Sequence, residues 1–210
     1  MNRVRLLGVC IGVLTCAQAV WAETPFSFTA DGGLIPVFDE GSGEGVSVFP
    51  LFMEPGNEDP GYAPLLTHPM PPITSIELVL TDLTHTNPAD LDIYLISPFG
   101  DTLEIMTDRG DSVAMVNADF IFNDAGPALP PPDQGLPDGT YRPEGFAGMA
   151  FFVGMSGGTD AWKLLVIDDS AGDQGNLGSF TLRGTYVPEP VSLSLLAVGA
   201  LAALRRSRRQ

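Results

Sequence analysis

The chain has 210 residues, with 26 acids, 10 bases and a formal net charge of −16. Six of the bases lie at the two ends, so residues 23–190 carry only Arg109, Arg142, Lys163 and Arg183 against all 26 acids, a net of −22. Such a body repels phosphate backbones and anionic headgroups, which excludes nucleic acid as a partner and makes divalent cations its natural counter-ions.

Residues 1–22 have the layout of a secretory signal peptide. Arg3 and Arg5 start it, an apolar run follows over 6–20, and Ala22 is the small residue expected just before cleavage at Glu23. A lipoprotein signal ending at Cys16 is the rival reading, with Thr15 a poor fit, and an uncleaved N-terminal anchor is another. Cys10 and Cys16 are the only cysteines. A chain that begins at Glu23 therefore has no disulfide, no thiolate zinc site and no cysteine nucleophile.

The body, residues 23–186, shows no long helical pattern. Apolar and polar residues alternate in short runs between Gly, Pro, Asn and Asp clusters, the mark of an all-β sandwich or barrel. Ile76, Leu78 and Leu80 share one face of a strand, as do Leu91, Ile93 and Leu95. Leu103 and Ile105 follow a turn over 98–101; Trp162, Leu164 and Val166 form a later set, and Phe180 and Leu182 the last. Shorter strands are expected at 26–29, 46–52, 118–122 and 149–153. Residues 127–137, with three consecutive prolines, can only be a loop.

These segments carry a resemblance. Thr84-His85-Thr86, Asp90-Leu91, Ser97-Pro98 and Gly100 resemble the signature strand pair of the P domain (P/Homo B) of subtilisin-like proprotein convertases. Phe122-Asn123-Asp124-Ala125 and Gly139-Thr140-Tyr141-Arg142-Pro143 resemble its central loops. Trp162-Lys163-Leu164, Val166, Asp168, Asp173, Gly175 and Leu177 resemble its closing strands; Ala161 stands where the family usually has Gly. The resemblance covers about 26–186. It implies a jelly-roll β-sandwich of about eight strands, galactose-binding-like in architecture, and Ca²⁺ in its loops.

The acids are the clearest functional signal. Asp168, Asp169 and Asp173 crowd one turn between two strands, with Asn176 nearby, Asp124 in a central loop, and Asp108 and Asp111 in another. Loops with several carboxylates repel themselves unless a cation neutralises them, and Ca²⁺ takes six to eight oxygen ligands without needing nitrogen or sulfur. Asp124, Asp168, Asp169 and Asp173 are the expected Ca²⁺ ligands, with Asp108 and Asp111 as weaker ones. The alternative is that these acids only solvate turns.

Catalytic chemistry finds little support. Gly154-Met155-Ser156-Gly157-Gly158 matches Gly-x-Ser-x-Gly, but the nucleophile elbow needs a helix after the serine, and both histidines, His68 and His85, precede it. His85 is expected to belong to the fold and His68 to solvent. Trp162, in phase with Leu164 and Val166, is expected in the core.

At the C-terminus, Pro188-Glu189-Pro190 precedes an uncharged run over 191–204 and then Arg205, Arg206, Arg208 and Arg209. Fourteen helical residues reach about 21 Å, short of a ~30 Å hydrocarbon core. Residues 187–209 resemble a PEP-CTERM sorting signal: Pro-Glu-Pro motif, short hydrophobic helix, basic tail. That resemblance implies processing by an exosortase in a bacterium with an outer membrane, and transient membrane association; an ordinary tail anchor is the alternative.

The expected function is that of a non-catalytic, exported module at the cell surface or in the exopolysaccharide matrix, holding a protein or matrix partner. Two alternatives remain: an accessory P domain serving the serine-type endopeptidase activity of a separate subtilisin-like protease, and a carbohydrate-binding module.

Overall fold

Period-two alternation over the body becomes two stacked antiparallel sheets. The structure, a computed structural model, describes residues 22–35, 45–51, 72–156 and 161–187. His68, the leader over 1–21 and the tail over 188–210 lie outside the described residues.

Strands β1 (Thr24–Ile35), β3 (Ile73–His85), β6 (Met115–Phe122), β7 (Gly139–Tyr141) and β9 (Gly175–Tyr186) form one sheet in the order β1-β9-β3-β6-β7. Strands β2 (Gly45–Leu51), β4 (Leu91–Ile96), β5 (Thr102–Thr107) and β8 (Trp162–Asp168) form the other in the order β2-β8-β4-β5. Neighbouring strands are antiparallel except β6 and β7. The chain switches sheets repeatedly, so residues distant in sequence share one core. The all-β sandwich expected from alternation is what forms, with nine strands among the described residues.

The core is the inward set of each strand. Leu78, Leu80, Leu91, Ile93, Leu95, Phe120, Phe122, Leu164, Val166 and Phe180 are fully buried. Trp162 is buried, as its phase requires, with the Phe152 ring edge-on at 4.9 Å. Where β3 crosses β6, register shifts fall between Leu80 and Leu83 and between Leu83 and His85. Asp82 (φ 55°) and Asn117 (φ 51°) take left-handed backbone there, and the Asp82 N–H donates to Asp119 Oδ1 at 3.0 Å. These bulges turn the end of β3 so that His85 points into the core.

The strand expected at 149–153 is instead a 3-10 helix, η2 (Met149–Phe152). Gly148 (φ 59°) breaks the extended backbone, and the Asp124 carboxylate accepts from the Met149 and Ala150 N–H groups at 2.7 and 2.8 Å. Residues 149–153 are an unbroken apolar run, and such short runs do not separate strand from helix. A second 3-10 turn, η1 (Pro88–Asp90), joins β3 to β4.

Candidate functional site

The ends of β3 and β8 and the starts of β4 and β9 meet at one pole of the sandwich. His85 ends β3 and Asp168 ends β8; both are fully buried, with Nε2 and Oδ2 3.4 Å apart. His85 Nδ1 lies 2.8 Å from the Asn87 carbonyl oxygen. The Asn87 N–H also lies 3.3 Å from Nδ1, so Nδ1 donates to the carbonyl in one tautomer and accepts from the amide in the other. Asp168 Oδ1 accepts from the Ser170 N–H at 3.3 Å. His85 Nε2, Asp168 Oδ2 and Asn87 Oδ1 are buried without a hydrogen-bond partner. Gly175, opposite His85 in the β3–β9 register, leaves room for the ring, because a Cβ there would strike imidazole Cδ2.

Around this buried pair stands a shell of carboxylates. Asn87 Nδ2 donates to Asp90 Oδ2 at 2.6 Å, and Thr86 Oγ1 donates to Asp173 Oδ1 at 2.8 Å. Burial holds the Asp90 carboxyl above its ordinary pKa; a hydrogen bond to Asp173 and the Asp173 and Asp169 charges push the same way, with Asn87 opposing. Asp92, two residues on in β4, is pushed up to about 6 by burial first, then by the charges of Asp108, Asp169, Glu104 and Glu144. Carboxylates that raise each other's pKa are held closer than their mutual repulsion favours.

Asp168, Asp169 and Asp173 are therefore brought together with Asp90, which adjoins them from the β3–β4 connection. Asp108 (φ 50°) and Asp111 (φ 59°) lie in the turn after β5; Asp108 faces Asp92, and Asp111 accepts from the Ser112 N–H. Asp124 is apart from all of these, at the opposite end, with its two oxygens on the η2 amides. Asn176 is exposed on β9. Among the described residues no three His, Cys, Asp or Glu side chains converge on one metal position.

Sequence reasoning missed Asn87, Thr86 and the Arg109–Glu144 pair. Arg109 Nε donates to Glu144 Oε1 at 2.8 Å and its Nη1 to the Pro130 carbonyl at 2.9 Å, while Glu144 accepts from the Thr107 N–H. The signal was available: Arg109 is one of four bases in the acidic body.

Ser156 is exposed, and the Met155 carbonyl beside it accepts from the Ile73 N–H at the start of β3. His85 ends the same strand, roughly 35–40 Å away at strand rise. The two cannot form a nucleophile–base pair. Residues 157–160, immediately C-terminal to Ser156, lie outside the described residues.

The family model for the proprotein convertase P-domain matches residues 76–127. That span contains His85, Asn87, Asp90 and Asp92, but stops short of Asp168 and Asp173. No curated protein matches the sequence. Among solved structures, the Aeromonas sobria serine protease in complex with its chaperone is similar at 14% identity and a TM-score of 0.41, over 80% of this chain and 27% of that one. The serine protease of Aeromonas sobria alone gives 15% identity and 0.41, over 79% and 27%. The chain thus spans about a quarter of the length of those structures.

Proposed function

We propose that this chain is a non-catalytic β-sandwich module, exported and delivered to the cell surface or matrix by its C-terminal tail, that holds a protein or matrix partner. The observation that carries this reading is the P-domain match over 76–127, which falls on the strand that ends at His85 and the turn that ends at Asp90. The separation of Ser156 from His85 supports the same view. Rigid sheets that present loops suit recognition rather than bond-making.

Ca²⁺ is part of the proposal. Asp90, Asp169 and Asp173 lie near one another without converging on one position, so a bound ion would draw their loops together and relieve the repulsion among their carboxylates. The match also favours a second reading, in which the body packs against a separate subtilisin-like protease as its accessory domain. Exosortase processing at Pro188-Glu189-Pro190 and delivery to the outer surface or matrix complete the first reading.

Co-purification from the native culture separates the two. The accessory reading requires a subtilisin-like protease in stoichiometric amount with the chain. A polysaccharide or structural protein in its place supports the matrix reading. Serine-directed labelling of Ser156 contradicts both.

A further inference from the structure

Among the described residues, three buried side-chain atoms have no hydrogen-bond partner, and all three lie at the acidic pole: His85 Nε2, Asp168 Oδ2 and Asn87 Oδ1. Buried polar atoms are almost always satisfied, so three on adjoining segments need a cause. His85 and Asp168 are both 0% exposed and come from different sheets. A carboxylate in such a place has to be matched by positive charge.

A proton shared by the two side chains fits the geometry poorly. A charge-assisted N–H···O bond closes to about 2.7–2.9 Å, whereas Nε2 and Oδ2 stand 3.4 Å apart and make no hydrogen bond. A divalent ion fits that gap. Zinc sits about 2.0–2.1 Å from an imidazole nitrogen and about 2.0–2.2 Å from a carboxylate oxygen. Two such ligands 3.4 Å apart subtend about 110° at the ion, close to the tetrahedral angle.

The far side of the ring agrees. An imidazole that binds a metal keeps its proton on the other nitrogen and gives it to a carbonyl or a carboxylate. His85 Nδ1 is 2.8 Å from the Asn87 carbonyl oxygen, nearer than the 3.3 Å to the Asn87 N–H. With the proton there, the bare Nε2 lone pair faces the Asp168 carboxylate, which a cation between them makes favourable. Asp168 Oδ1 accepts from the Ser170 N–H at 3.3 Å, so Oδ2 is the oxygen left for the ion. Water filling the remaining coordination positions would supply a donor for Asn87 Oδ1. Outside stand Asp90, Asp169 and Asp173, whose negative field draws cations to this pole.

We propose that His85 Nε2 and Asp168 Oδ2 bind one zinc-like divalent ion at the seam between the two sheets. An imidazole donor favours a first-row transition ion over Ca²⁺, which takes oxygen from six to eight ligands. The donors differ from the carboxylates proposed for Ca²⁺, so the two sites stand or fall separately. Because both ligands are fully buried, the ion enters as the chain folds or its loops open, and binding is coupled to folding.

The test uses the full chain with Cys10→Ser, Cys16→Ser and His68→Gln, so that no thiolate remains and His85 is the single imidazole. The protein is refolded with Zn²⁺, desalted and then challenged with about 1 mM Ca²⁺. About one zinc per chain is expected to survive, and the nitrogen-15 resonance of His85 Nε2 to move while Nδ1 keeps its proton. His85→Gln in the same background should bind zinc at least about tenfold more weakly. No retained zinc, equal binding by His85→Gln, or retained zinc with both His85 nitrogens unmoved overturns the proposal. Zinc displaced by Ca²⁺ overturns it as well, because the ion then lies on the outer carboxylates, and the Ca²⁺ reading survives.

Discussion

His85 Nε2 and Asp168 Oδ2 face each other 3.4 Å apart, each fully buried and neither with a hydrogen-bond partner. The pair bridges the two sheets, since His85 ends β3 in one and Asp168 ends β8 in the other. It fixes the spacing of the loops that carry Asp90, Asp169 and Asp173.

Removing one partner strands the other in the core. Asp168→Ala should cost about 1–3 kcal/mol, the range for leaving buried polar groups unsatisfied. At about 2–4 °C per kcal/mol for a body of this size, the melting temperature should fall by at least roughly 2 °C. His85→Ala should cost a similar amount, and the double variant less than the two together. Full additivity in chemical melts of the four proteins would mean that the pair is not coupled.

Asp92 gives a pH signature. Its carboxyl is raised to about 6, so the folded protein binds this proton more tightly than the unfolded chain does. Its stabilising contribution is full below the ordinary value of 3.8 and is lost as pH rises through about 6. Asp92→Asn should therefore raise the melting temperature at pH 8 and change it little at pH 4. Its exposure to solvent screens the gain to about 1 kcal/mol or less. A constant difference across that range contradicts the assignment.

Ca²⁺ should raise the melting temperature of the full chain relative to chelator. At free Ca²⁺ 100 times Kd the gain is about 2.7 kcal/mol. Asp173→Asn should reduce the response, whereas Asp124→Asn, at the other pole, should leave it intact. An equal response in all three proteins would place the ion elsewhere.

Asp124 has a separate structural task. Asp124→Ala removes acceptors for two η2 amides, and hydrogen bonds to a charged group are worth about 1.5–3 kcal/mol each before local relaxation. Hydrogen exchange at Met149 and Ala150 should accelerate while exchange in β8 stays slow. Unchanged exchange at both amides would show that η2 does not need this carboxylate.

Alternation made the strands around Leu78, Ile93, Leu164 and Leu182 legible, because an inward-facing set in a two-sheet fold has to be apolar. The helix at Met149–Phe152 was not legible, because its cause is a carboxylate 25 residues earlier in the chain. The crowding of Asp168, Asp169 and Asp173 was visible as local composition. Its completion by Asn87, Thr86 and Asp90 depends on β3 and β9 lying side by side, and no local pattern reports that pairing. Asp124 looked like the other loop acids for the same reason: sequence shows that an acid sits in a loop, not at which end of the sandwich.

Mass spectrometry of the purified chain after treatment with a serine-directed fluorophosphonate, alongside a casein-cleavage assay, tests the central claim most directly. The account expects unmodified Ser156 and intact casein, with cleavage only when a separate protease is added. A stoichiometric adduct on Ser156, or cleavage by the chain alone, would contradict it.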